Sequence, residues 1–162
     1  WSASGSVTVQ ATPDGEGQCL RMIDVTPVAD CWVRQEFPEQ KDLVTWRLRV
    51  RFNVVTSEFG LSLLGADKQA VLLYTIEDQL GYEDSSGKWQ PIKQYEANRW
   101  YDIRIEANIK DKAYRVLVDN VRVGPEKVKF RNTVDKITAW MAGTSKALRG
   151  TMFIDNVRIE GR

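Results

Sequence analysis

The sequence contains no histidine. That removes the commonest general base near neutral pH and the commonest imidazole metal ligand. Ser-His-Asp hydrolysis and histidine-ligated zinc hydrolysis go with it. Cysteine is nearly as scarce: the two residues, Cys19 and Cys31, are spaced wrongly for a redox CxxC pair or a metal knuckle. A disulfide between them fits a secreted chain, but strand alternation argues against it. If Leu20 and Met22 point inward, Cys19 points outward, whereas Cys31 shares the inward side of Val33 and Phe37. No apolar run approaches the ~20 residues of a membrane-spanning helix, and low-complexity segments are absent. Nor is there an excess of charge: 23 basic residues face 22 acidic ones, for a net charge of +1. That balance supplies no global pull toward nucleic acid or membrane, so neither is an expected partner. A signal peptide is also lacking. Trp1 opens on a strand-like segment, so the chain is expected to be a mature or excised domain whose targeting segment lies outside it.

What the chain has is alternation. In VTWRLRVRFNV (44–54), Val44, Trp46, Leu48, Val50, Phe52 and Val54 share one side, while Thr45, Arg47, Arg49, Arg51 and Asn53 share the other. A helix would scatter these residues around its circumference, whereas a half-buried strand sorts them. The same reading predicts strands near 6–10, 18–25, 31–37, 43–55, 59–65, 69–77, 88–95, 99–109, 112–118, 121–123, 127–130, 135–142 and 151–160. Turns are predicted at Pro13-Asp14-Gly15, Ser86-Gly87, Gly143-Thr144 and the hairpin loop Asn108–Lys112. The only helical candidate is a single turn at 144–149, ended by Gly150. With 162 residues, 43% hydrophobic and 28% charged, the chain suits one domain (1–162) with a real core. About a dozen strands must also solve the problem of exposed sheet edges. The predicted fold class is all-β, an antiparallel two-sheet β-sandwich.

The segment RWYDIRIEANIKDKAYRVLVDNVRVG (99–124) resembles the hairpin of LamG-type, concanavalin A-like jelly rolls. It carries a Trp entering a strand (Trp100), a charged turn, a Tyr (Tyr114) and a tight turn (Asp119-Asn120). DGEGQCLRMIDV, CWVRQEFP and the closing TMFIDNVRIEG are similar to the first and last strands of such domains. A galactose-binding-like β-sandwich shares that style and is the alternative fold. The resemblance implies carbohydrate: a non-catalytic polysaccharide-binding module or accessory domain of a secreted polysaccharide-degrading enzyme. The alternatives are a polysaccharide lyase or glycoside hydrolase domain, and a structural domain packed on a catalytic neighbour. A monomeric domain attached to other domains is expected.

Catalysis has little support in the residues. Jelly-roll glucanases carry E-x-D-x-x-E on one strand, and retaining chemistry needs two carboxyls about 5 Å apart. Glu77-Asp78 and Glu83-Asp84 supply no such i, i+2 pair. They flank a turn expected at Gly81 and read as solvated loop charges. The Gln-x-His segment of jelly-roll alginate lyases cannot be formed without histidine, which leaves a Tyr/Arg lyase mechanism as the catalytic option.

Binding has better candidates. If strands 31–37, 43–54 and 99–107 share a sheet, Trp32, Arg34, Arg47, Arg49, Arg51, Arg104 and Glu106 form one polar face with Trp at its margins. Such a face is either a solvated charge ladder or a platform for a poly- or oligosaccharide, the arginines suiting an acidic one such as a uronate. Tyr82 and Trp89, in the expected loop region 78–95, form a second platform. A structural Ca2+ is implied by the resemblance, with Asp14, Glu16 and Asp155 as candidate ligands. Asp155 shares the side of Phe153, Val157 and Ile159, so it is expected to point inward and to need a partner. The repeated DNVR at 119–122 and 155–158 then reads as one hairpin turn and one candidate ligand, not as a duplicated site.

Overall fold

The computed structural model describes residues 1–24, 30–144 and 150–161. Fourteen strands and no helix occur among them. In chain order they are β1 (Ser2–Ser4), β2 (Ser6–Ala11), β3 (Gln18–Ile23), β4 (Cys31–Gln40) and β5 (Leu43–Phe52). There follow β6 (Phe59–Gly65), β7 (Lys68–Ile76), β8 (Gln79–Glu83), β9 (Trp89–Gln94) and β10 (Trp100–Asn108). The last four are β11 (Ala113–Val118), β12 (Val121–Lys129), β13 (Ile137–Thr144) and β14 (Thr151–Gly161). Two seven-stranded sheets result. Sheet A has the order β1-β4-β13-β6-β7-β8-β9, and sheet B the order β12-β11-β10-β5-β14-β3-β2. All pairings are antiparallel.

The alternation read from 44–54 is the alternation of β5: Val44, Trp46, Leu48, Val50 and Phe52 are all buried. β5 sits at the middle of sheet B between β10 and β14, so its inner row meets the inner row of sheet A. The Trp46 ring stacks on Trp140 of β13 at 5.7 Å, and Phe52 stacks on Phe59 of β6 at 4.8 Å. Such pairs add about 0.5–1.5 kcal/mol each to the area they bury. Gly5 carries the chain from sheet A to sheet B. Its φ is +77°, and a Cβ there would meet the Cys31 backbone at 2.9 Å, so only glycine fits the crossing.

Several local readings are corrected. Residues 121–129 form one strand, and β1 and β8 went unread. Gly143-Thr144 is not a turn but the end of β13, and Gly81 lies in mid-strand in β8. The helical turn expected at 144–149 falls on residues 145–149, outside the described ones. The cysteines are free and both are buried. Cys31 belongs to the core cluster and Cys19 does not, as their parities required. Burial pushes both thiols above the usual range.

Tyr114 is buried between Tyr82 and Phe130. Burial, with the Tyr82 hydroxyl and Asp84 behind it, pushes its phenol far up. Its hydroxyl has no hydrogen-bond partner among the described residues. An unsatisfied buried hydroxyl costs about 1–3 kcal/mol. Tyr114→Phe is therefore expected to leave stability unchanged or to raise it by up to about 1 kcal/mol. Tyr114→Ala should lose about 3–5 kcal/mol, the range for a truncated core aromatic. Urea unfolding of the two variants measures both.

Candidate functional site

The outward sides of the two sheets differ in chemistry. On sheet A, one cross-strand row runs Trp32–Gly143–Gly60–Tyr74–Gly81 over β4, β13, β6, β7 and β8. The two central glycines leave a bare floor. Gly143 is constrained, since a Cβ there would come within 3.0 Å of the Cys31 carbonyl. Gly60 is not: its φ is ordinary, and a Cβ would meet nothing nearer than 3.9 Å. Neither backbone geometry nor packing accounts for the missing side chain at Gly60. Above this floor lies a groove of about 350 Å³, walled by Trp32 on one side and Tyr74 on the other, with Glu58 and Glu83 at its rim.

Tyr74 is backed by Trp89. The indole lies over Gly81, where any Cβ would overlap the ring. That close approach explains a glycine in the interior of a strand. The indole N–H of Trp89 donates to the Tyr74 carbonyl at 3.4 Å, and the two rings sit 6.2 Å apart. The β8–β9 hairpin that delivers Trp89 is closed by Asp84. Its carboxylate accepts from the Ser86 hydroxyl at 2.6 Å and from the Ser86 and Lys88 amides at 2.8 and 3.1 Å. These bonds hold Asp84 below the usual carboxylate range. Asp84 is thus the loop charge expected. Glu83 is not: it stands in β8 at 14% exposure, paired with Arg131. Arg131 also donates to Gln69, and Gln69 in turn donates to the Ser62 hydroxyl at 3.1 Å.

The sequence candidates separate between two faces. Trp32 and Arg34 are on sheet A, whereas Arg47, Arg49, Arg51, Arg104 and Glu106 are on the outer side of sheet B. The single polar face does not exist, because β4 pairs with β13 and β1, not with β5. Arg34 is held by Asp67 at 2.7 Å and Glu36 at 3.3 Å. Tyr82 is a core residue, not a loop platform, while Trp89 is half-buried behind Tyr74. Sequence reading missed Tyr74, Gly60, Gly143 and Arg131. A mid-strand Gly such as Gly60, flanked by apolar residues, was the one signal available.

Asp155 does not point inward. It lies opposite Arg49 on the outer side, while Met152 and Ile154 face the core. The register slips between Asp155 and Arg158, and Asn156 has φ +53°. This bulge reverses the parity of everything after it. Asp14 lies 3.6 Å from Arg49. Among the described residues, no three His, Cys, Asp or Glu side chains gather as a metal centre.

No protein-family model matches the chain, and no curated protein matches it. Solved structures do. A sialidase superposes on 98% of this chain and 16% of its own, with TM-score 0.84 and 16% identity. The cellulose-induced protein Cip1 covers 98% of this chain and 87% of its own at TM-score 0.70 and 12% identity. Alginate lyase AlgAT5, from polysaccharide lyase family 7, covers 94% and 81% at TM-score 0.65 and 14% identity. The fold is a concanavalin A-like jelly roll. The jelly roll spans only a small part of that sialidase, and likeness at these identities concerns the fold alone.

Beside the groove, Arg131→Ala would strip Glu83 of its guanidinium. A loss of about 1–3 kcal/mol is expected, and Glu83→Gln in the same chain should restore part of it. Urea unfolding of the two single variants and the double variant measures the coupling.

Proposed function

We propose that this jelly roll is a carbohydrate-binding domain whose saccharide lies in the sheet A groove between Trp32 and Tyr74, with Trp89 extending the aromatic wall. The observation that carries the reading is the unfilled floor at Gly60. Three strand spacings separate Trp32 from Tyr74, about 14 Å, and the rings at either end can stack on the apolar faces of sugar rings. Glu58 and Glu83 at the rim offer acceptors to hydroxyl groups. Sialidase and alginate lyase, two of the structural neighbours, have names that refer to saccharide substrates, which supports the same class of ligand. A secreted protein with further domains is the expected setting.

Binding without catalysis is favoured by the state of Tyr74. Burial, with Glu83 and Glu58 nearby, pushes its phenol above the usual range despite Arg131. A lyase base of the Tyr/Arg kind needs the opposite shift. Calcium rests on the resemblance alone, and thermal melts with EDTA and with added calcium test it: equal midpoints dismiss the ion.

The groove is tested on a polysaccharide panel by affinity electrophoresis, with the wild type, Trp32→Ala and Gly60→Val. The wild type is expected to bind at least one neutral polymer, and Trp32→Ala to weaken it about tenfold, the loss of one stacked ring. Gly60→Val should abolish binding without unfolding the domain, because nothing crowds its Cβ. Unchanged binding by both variants would reject the groove. Unsaturated products absorbing at 235 nm, or new reducing ends, would replace the binding reading with an enzymatic one.

A further inference from the structure

Sheet B presents a second row of a different kind. Arg104 of β10 stands directly opposite Arg47 of β5, and Arg47 directly opposite Arg158 of β14. Beyond Arg104 the row continues through Leu117 to Arg122 of β12. Opposed side chains on neighbouring strands have Cβ atoms about 4.5–5.5 Å apart, and like charges so placed destabilise a sheet. Internal pairing relieves little of this. Arg104 lies 3.2 Å from Glu106, but Glu106 also serves Arg115. Arg47 reaches Glu160 only at 3.9 Å. Arg158 has no ion-pair or hydrogen-bond partner among the described residues. The adjacent arginines are spent otherwise: Arg49 meets Asp14 and lies over the Trp100 ring at 4.8 Å. Arg51 donates to the Asn98 side-chain amide oxygen at 3.3 Å and lies near Phe153.

The row borders a groove of about 290 Å³ lined by Arg47, Arg104, Arg158, Asp102, Asn120 and Asn156. The two asparagines come from the two DNVR copies. Asn120 sits in the β11–β12 turn and Asn156 in the β14 bulge, both in left-handed conformation at φ +62° and +53°. The copies are not equivalent in structure, yet each brings its Asn to this groove. Three arginines against one aspartate line it, with amides at both sides.

We infer that this groove is an anion site for an acidic polysaccharide, the Arg104–Arg47–Arg158 row forking to a carboxylate or sulfate group while Asn120, Asn156 and Asp102 take the neighbouring hydroxyls. Guanidinium forks match the planar, two-oxygen geometry of such groups. The neighbouring rows mix signs: Glu106 and Glu160 stand with Arg115 on one side, and Asp102 and Asp155 flank Arg49 on the other. A polymer with charges spaced between hydroxyl-bearing rings fits a like-charge row bordered by rows of mixed sign, whereas a nucleic acid's continuous phosphates would also meet the bordering carboxylates. The site is separate from the sheet A groove and does not depend on it.

The test uses the intact domain and five probes: polygalacturonate, dextran sulfate, uncharged dextran, inorganic sulfate and duplex DNA. Wild type and Gly60→Val are expected to bind one of the two acidic polymers alike, which identifies the anion as carboxylate or sulfate. Arg158→Ala should weaken that binding about tenfold or more, and Arg158→Lys should restore it only in part because the fork is lost. Arg158→Ala should also melt no lower than the wild type, since it relieves an opposed like-charge pair. The inference is overturned if neither acidic polymer binds, or if Arg158→Ala binds as the wild type does. DNA binding as tight as the polymer's, or loss of acidic-polymer binding in Gly60→Val, overturns it as well.

Discussion

The Trp46–Trp140 stack joins the middle strand of sheet B to β13 of sheet A, and the rest of the sandwich is arranged around the inner rows that meet there. A strand whose alternate residues are committed to that contact has its other residues turned to solvent without further choice. β5 shows the rule most plainly. Its five inner residues are buried, so Arg47, Arg49 and Arg51 must project from the opposite side. The core thus fixes where each outer residue stands but not what it is. The outer faces are free to carry function.

The two faces use that freedom differently. Sheet A removes side chains: Gly60, Gly143 and Gly81 lie in one row, and aromatic rings enclose the bare strip. Sheet B adds charge, most of it paired locally. Surface pairs of this sort contribute about 0–1 kcal/mol each, so Arg115 with Glu106 or Arg49 with Asp14 needs no purpose beyond solubility. The Arg104–Arg47–Arg158 row differs because it sets like charges opposite one another, an arrangement with a cost to folding. The Gly60 floor is likewise an entropic cost in a strand interior. A local cost without a local return is the common feature of the two places proposed to bind ligands.

Local pattern carried much of this architecture and none of its long-range pairing. The alternations of β5 and β10 were visible because, Trp100 aside, their outer sides are largely polar. The parity of 31–37 was also visible, but its partner β13 lies about a hundred residues later, and nothing in CWVRQEFP names that partner. Trp32 and Arg34 were therefore assigned to the wrong face. Asp155 failed for another reason. One extra residue at Asn156 reverses the period-two count, and the same Asp-Asn letters make a turn at 119–120. Gly81 was read as a turn because glycine punctuates chains more often than it makes room for a ring. That choice also placed Tyr82 in a loop when it belongs to the core.

Five of the six tryptophans sample the core and both outer faces. Trp46 and Trp140 lie in the core, Trp100 on the outer side of sheet B, and Trp32 and Trp89 at the sheet A groove. Indole N–H resonances of the 15N-labelled domain, followed while a neutral polysaccharide fragment is titrated in, separate these regions directly. Shifts of Trp32 and Trp89, with Trp46, Trp100 and Trp140 unmoved, are the expected result. A shift of Trp100 while Trp32 and Trp89 stay still would contradict the assignment of the saccharide to sheet A.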